Sequence, residues 1–233
     1  MAAIPTSLQA RLTAVRDRIA AACAQAGRPP DSVRLVAVSK TFPAAAITAA
    51  ARAGQRDFGE NYLQEALPKL AAAAGLGLRW HFIGPIQSNK TRSIAEQFDW
   101  VHTVEREKIA RRLSEQRPAD RPPLNVCIEV NLSGEASKSG TTPGEVAALA
   151  RIIATLPRLR LRGLMAIPEP APDAALQRQR FAALRQLKEA LTREGLALDT
   201  LSMGMSADLE AAIAEGATMV RVGTAIFGER SKA

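Results

Sequence analysis

Four features of this sequence could do chemistry together if the fold brings them to one place. Lys40 closes the apolar run Leu35-Val36-Ala37-Val38-Ser39-Lys40. An amine at a strand end, in low dielectric and beside oriented dipoles, can lose its proton more readily and attack an aldehyde. Ser206 ends the segment Ser202-Met203-Gly204-Met205-Ser206, where its hydroxyl would cap a helix beginning at Ala207. Gly223-Thr224 opens a further turn with unobstructed amides and one hydroxyl. Arg221 lies inside the apolar run Met219-Val220-Arg221-Val222, where a guanidinium is costly unless it meets an acid or the acceptor of a ligand. Each feature alone has a plain alternative: a solvated strand-end lysine, an ordinary cap, a turn glycine, a structural ion pair.

The elements that must position them follow from the hydrophobic pattern. Residues 5 to 26 carry Leu8, Leu12, Val15 and Ile19 at helical spacing, with Gly27 as a stop, and read as a lead-in helix. Short β-branched or aromatic runs then fall near 33–39, 56–59, 79–83, 99–104, 124–131, 160–167, 199–203 and 218–222. Helical stretches fall between them near 44–53, 60–74, 88–97, 105–116, 143–156, 172–194 and 206–215. About eight strands alternating with helices predict an α/β fold, a single closed (β/α)8 TIM barrel with an extra N-terminal helix. No linker divides the chain, so residues 1–233 are expected to form one domain.

In such a barrel, residues just after each strand gather at one face. Lys40, Asn61, the loop from Ser133 to Gly140, Ser206 and Gly223-Thr224 all fall there. The loops after strands seven and eight are the usual place for a phosphate in this architecture, which suits Ser206, Gly223 and Thr224.

Composition excludes several classes. No apolar run approaches a membrane span, and the N-terminus lacks the charged and apolar regions of a signal peptide. Cys23 and Cys127 form no disulfide framework or metal pattern, so a reduced, cytoplasmic protein is expected. The net charge of +8 invites a nucleic-acid reading, but aromatics are only 4% and no nucleic-acid-binding motif is present. Arginines such as Arg111-Arg112 and Arg178 to Arg185 lie along helices, where solvated faces explain them.

A phosphate rim, a buried arginine and a strand-end lysine around one mouth would together suit pyridoxal 5′-phosphate. The lysine would form the imine, the loops would hold the phosphate, and the arginine would approach the ring nitrogen. Here a resemblance becomes specific. It is carried by Val36-Ala37-Val38-Ser39-Lys40, Phe58-Gly59-Glu60-Asn61, His81-Phe82-Ile83-Gly84, Ser137-Lys138-Ser139-Gly140 and Gly163-Leu164-Met165. It continues in Ser202-Met203-Gly204-Met205-Ser206-Ala207-Asp208 and in the run from Val220 to Gly228. In order and over nearly the whole chain, these segments resemble the pyridoxal phosphate homeostasis protein family. The resemblance implies the barrel of the alanine racemase N-terminal domain, with Lys40 as the imine lysine. It implies phosphate contacts from Ser206, Gly223 and Thr224, Arg221 at the pyridine nitrogen, and Asn61 near the ring. Lys138 would be either a secondary lysine that receives or hands over the cofactor, or an exposed loop residue.

The function expected is therefore binding, buffering and delivery of pyridoxal 5′-phosphate, with PLP-dependent apoenzymes as transient partners and a monomeric state. The rival is a PLP-dependent amino-acid racemase or decarboxylase on the same barrel. Racemisation by two bases needs an acid/base on each face of the substrate, usually lysine and tyrosine. The only tyrosine, Tyr62, is expected to pack at the start of a helix, and His81 and His102 are expected to be satisfied barrel histidines. The chain ends soon after the eighth strand, without the second domain that helps build such active sites, so binding without efficient turnover is expected.

Overall fold

The computed structural model describes residues 7–133 and 139–229; Lys138 lies outside the described residues. The β-branched and aromatic runs become eight strands: β1 (Arg34–Val38), β2 (Asp57–Glu60), β3 (Arg79–Phe82), β4 (Trp100–Val104), β5 (Leu124–Glu129), β6 (Leu159–Met165), β7 (Thr200–Ser202) and β8 (Met219–Val222). They pair in sequence order, every pair parallel, and β1 closes on β8. The helices are α1 (Leu8–Gln25), α2 (Ala44–Arg52), α3 (Leu63–Ala72), α4 (Thr91–Gln97), α5 (Glu107–Gln116), α6 (Val146–Thr155), α7 (Ala174–Arg193), α8 (Leu209–Ala214) and α9 (Thr224–Phe227). This is the expected (β/α) barrel with its N-terminal helix.

Side chains of a strand alternate between faces, so parity sorts the residues. On β1, Arg34, Val36, Val38 and then Lys40 share the interior parity, while Leu35, Ala37 and Ser39 face the helices. Val36 meets Trp100, Cys127, Met165 and Met219 in a small apolar cluster of its own. The larger core lies between barrel and helices, with Leu35, Ala37, Phe58, Val101, Val126, Leu164 and Val220 packed against helix residues such as Ile47, Ile94, Leu113 and Ile153. Burial of those two faces holds the barrel together. Gly163 lets β6 lie close against β7, because a Cβ there would lie 1.8 Å from the Thr200 carbonyl oxygen, and the register between β5 and β6 shifts at the same point.

The lead-in helix α1 buries Leu12, Val15, Ile19, Ala22 and Cys23, and Ser7 caps it by accepting from the Ala10 amide at 3.1 Å. It also ties down the loops that follow β7 and β8. Arg18 donates to the Ser206 carbonyl at 3.0 Å and to both Glu210 oxygens, and Arg11 donates to the Ile226 carbonyl at 2.7 Å. Among the described residues no helix is long and apolar enough to cross a membrane.

Candidate functional site

At the carboxyl ends of the strands, one cavity of about 270 Å³ is lined by Lys40, Asn61, Ser206, Arg221, Gly223 and Thr224. Val38, Phe42, Ile83 and Ile167 give it apolar walls. Six of the positions singled out by sequence therefore meet in one place, drawn from β8 and the loops after β1, β2, β7 and β8.

The backbone that presents Lys40 is fixed on its outer side. The Ser39 amide donates to the Gly59 carbonyl at 3.0 Å, extending the ladder past β1. Thr41 then turns the chain at φ 68°, a left-handed conformation that costs a β-branched residue energy. Its amide is held by the Glu65 carboxylate at 3.0 Å. Beneath it the Ser39 hydroxyl donates to Glu60 at 2.6 Å, and Lys69 Nζ donates to the Ser39 carbonyl at 2.9 Å and to both Glu60 oxygens at 3.0 Å. Burial pushes the Glu60 carboxyl up, and the Ser39 and Lys69 hydrogen bonds oppose that shift. The sequence reading did not find this knot. Its signal is that Lys69 shares the buried stripe of α3 with Leu63 and Ala66, where a lysine must have a partner.

Asn61 lines the cavity, and its Oδ1 is buried with no hydrogen-bond partner among the described residues. An orphaned buried acceptor costs about 1–3 kcal/mol, which a ligand donor would recover. Gly84 lets the β3 loop press onto this residue, since a Cβ there would lie 2.1 Å from the Asn61 carbonyl oxygen.

The loop after β7 departs from expectation. The helix there begins at Leu209, not Ala207, and Ser206 lies in the turn before it without capping it. Asp208 holds that turn instead, its carboxylate accepting from the Met205 amide at 2.6 Å. The reason is competition for the same local backbone: an aspartate one residue before a helix can satisfy the turn that serine would otherwise close. The Ser206 side chain is left to the cavity. Across it, Gly223 packs tightly on β1, where a Cβ would come within 3.2 Å of the Val38 carbonyl oxygen.

Arg221 is buried in the cavity floor, its Nη1 donating to Ser202 Oγ at 2.6 Å and its Nη2 to the Ala166 carbonyl at 3.0 Å. Burial lowers its pKa to about 10, against the pull of Glu129 and Asp208, so it stays charged near neutrality. Glu129, at the end of β5, is pushed up to about 7, first by burial and then by Glu105, with Arg221 opposing. His81 and His102 are fully buried below the floor. Tyr62 does not take the packing role expected for it: it is 52% exposed and lines a neighbouring cleft with Gln64 and Lys90, outside the Lys40 cavity. Among the described residues, no group of three or more His, Cys, Asp or Glu could hold a metal ion.

An amine, a guanidinium, an amide and two hydroxyls thus line one cavity with apolar walls. The family model described as alanine racemase, N-terminal domain, matches residues 10–231. A pyridoxal phosphate homeostasis protein of Pseudomonas aeruginosa is 63% identical over 225 residues, 97% of this chain and 96% of its own length. The protein of the same name from Escherichia coli is 56% identical over 227 residues, 94% of this chain and 95% of its own length. The structure of PipY from Synechococcus elongatus with PLP bound is 39% identical, with a TM-score of 0.84, over 95% of this chain and 100% of that one. An alanine racemase from Corynebacterium glutamicum shares the fold at 19% identity and a TM-score of 0.70, with 62% of its chain covered.

Proposed function

This chain belongs to the pyridoxal phosphate homeostasis protein family, and on that premise we propose that it holds pyridoxal 5′-phosphate in the Lys40 cavity and buffers and delivers it without efficient turnover. The observation that carries this reading is the meeting of Lys40, Asn61, Arg221, Ser206, Gly223 and Thr224 around one cavity. When bound, the cofactor supplies an aldehyde carbon that an amine captures reversibly and a ring that withdraws electrons. Lys40 provides the amine. Ser206 and Thr224 provide hydroxyl donors, and Gly223 an amide, for the phosphate. Asn61 would lie near the ring. Arg221 would approach the ring nitrogen as a cation, which would keep that nitrogen unprotonated and weaken the ring as an electron sink.

Delivery without turnover rests on what surrounds Lys40. A two-base racemase needs a second acid/base group opposite the lysine. Tyr62 lies outside the cavity, and both histidines are engaged in hydrogen bonds below it. A reversible link to Lys40 can be displaced by the amine of a recipient apoenzyme. The protein loaded with cofactor should activate such an apoenzyme faster than spontaneous release allows. Racemisation and decarboxylation across a panel of amino acids should stay near the rate of free cofactor. Strong turnover of one amino acid, abolished in Lys40→Ala, would establish the racemase or decarboxylase reading instead.

The phosphate assignment has its own test. A hydrogen bond to a charged acceptor is worth about 1.5–3 kcal/mol. Ser206→Ala and Thr224→Val should each raise the Kd for pyridoxal 5′-phosphate roughly ten- to hundredfold while barely changing that for pyridoxal. Titration by absorbance measures both; equal weakening of the two ligands would move the phosphate elsewhere.

A further inference from the structure

A continuous line of polar side chains runs from the cavity floor down the barrel interior to its opposite end. Arg221 Nη1 meets Ser202 Oγ at 2.6 Å, and Ser202 Oγ meets His102 Nδ1 at 2.7 Å. His102 Nε2 meets His81 Nδ1 at 2.9 Å, and His81 Nε2 meets Asp57 Oδ1 at 3.0 Å. At the far end Arg79 grips Asp57 with two hydrogen bonds of 2.8 and 2.6 Å. Ser202, His102 and His81 are wholly buried, and Asp57 nearly so. Trp100 stacks on His81 at 5.6 Å between ring centroids.

With each histidine carrying a single proton, the two ends of this line set the proton order along it. A guanidinium only donates and an ionised carboxylate only accepts. Arg79 and His81 hold the Asp57 carboxyl far below the usual range against the cost of burial, so it is ionised. His81 therefore donates from Nε2 to Asp57 and accepts at Nδ1. His102 then donates from Nε2 to His81 and accepts at Nδ1, and the Ser202 hydroxyl donates to His102. Each histidine carries one proton, in keeping with burial lowering both their pKa values. The Ser202 hydrogen is thereby committed away from Arg221, and its lone pair is always turned toward Nη1. With Nη2 held by the Ala166 carbonyl, the guanidinium plane has one orientation. Without that acceptor it could swing toward Glu129 or Asp208, whose charges it already feels.

We propose that Ser202, His102, His81 and Asp57 are positioning residues that act through Arg221, a one-way chain of hydrogen bonds that fixes how the guanidinium meets the cofactor ring. This rests on the reading of Arg221 given above. Apolar residues would fill a barrel interior at lower cost than two buried histidines, so a fully satisfied polar line points to use.

The test compares pyridoxal 5′-phosphate with its analogue bearing C–H in place of the ring nitrogen, titrating Kd for each by absorbance and recording Tm separately. In the unmodified protein the natural cofactor binds more tightly than the analogue. Ser202→Ala should shrink that preference about tenfold with the analogue's own Kd unchanged, and Ser202→Thr, which keeps the hydroxyl, should restore it. Arg221→Gln separates the two readings. If it leaves the preference intact, Arg221 does not meet the ring nitrogen. If it removes the preference but Ser202→Ala does not, or if Ser202→Ala weakens both ligands equally, the positioning role is overturned while the cofactor reading stands.

Discussion

Replacing Lys40 with alanine is expected to abolish covalent capture of pyridoxal 5′-phosphate and to weaken its binding by at least about a hundredfold. On the proposed reading the remaining contacts, from Ser206, Thr224 and Arg221 in the cavity lining, would be hydrogen bonds that exchange with water, whereas the bond to Lys40 would have no replacement there. Two other lysines mark the alternatives. Lys69 is committed to Glu60 and the Ser39 carbonyl, behind the strand and away from the cavity. Lys90 lines the neighbouring cleft with Tyr62. Borohydride reduction followed by peptide mapping should place the pyridoxyl group on Lys40, and the long-wavelength absorbance of the loaded protein should vanish in Lys40→Ala. Recovery of the label chiefly on Lys90 or Lys138 would sink the assignment.

The second large effect is on stability. At pH 8, Glu129→Gln is expected to stabilise the cofactor-free protein by about 3 kcal/mol, and at pH 4 to leave it nearly unchanged. Glu129 is 7% exposed, and its pKa rises from 4.5 to about 7 on folding. Below pH 4.5 the carboxyl is protonated in both states and burial costs no charge. Between 4.5 and 7 the unfolded chain gives up the proton and the folded one keeps it, so stability falls as pH rises. Above 7 both are ionised and the cost is constant. Glutamine is neutral throughout and does not incur it. The attraction of Arg221 is already contained in the raised value, since it opposes burial and Glu105 without overcoming them. Urea denaturation at the two pH values measures the difference, and an equal effect at both would show that Glu129 does not titrate in this range. The persistence of so costly a carboxyl beside Arg221 accords with a cavity whose floor is a buried cation.

How much of this was legible beforehand depends on how far apart the interacting residues are. The alternation of strand and helix is local: a short β-branched run, a turn, an amphipathic stretch, repeated until a sheet of parallel strands must close. Parity is local too. From the run Leu35 to Lys40 alone, Val36, Val38 and Lys40 share one face of β1, so Lys40 enters the mouth once the strand belongs to a barrel. The placement of Arg221 on β8 follows in the same way.

Local turn chemistry was read less well, because two residues compete for one role. Ser206 and Asp208 could each close the turn after β7, and aspartate prevails, with its carboxylate on the Met205 amide, releasing Ser206 to the cavity. What no local pattern contains is the meeting of residues on different strands. Ser39, Glu60 and Lys69 come together across β1, β2 and α3, and His102 meets Ser202 from 100 residues away. Those encounters depend on the register with which eight strands stagger as the barrel closes, and a shift of one residue on any strand would turn its side chains to the other face. The alternation of strands and helices is enough to set the architecture and the strand ends that meet at the mouth; closure of the barrel decided which buried polar groups face one another, because only there do all eight registers have to agree at once.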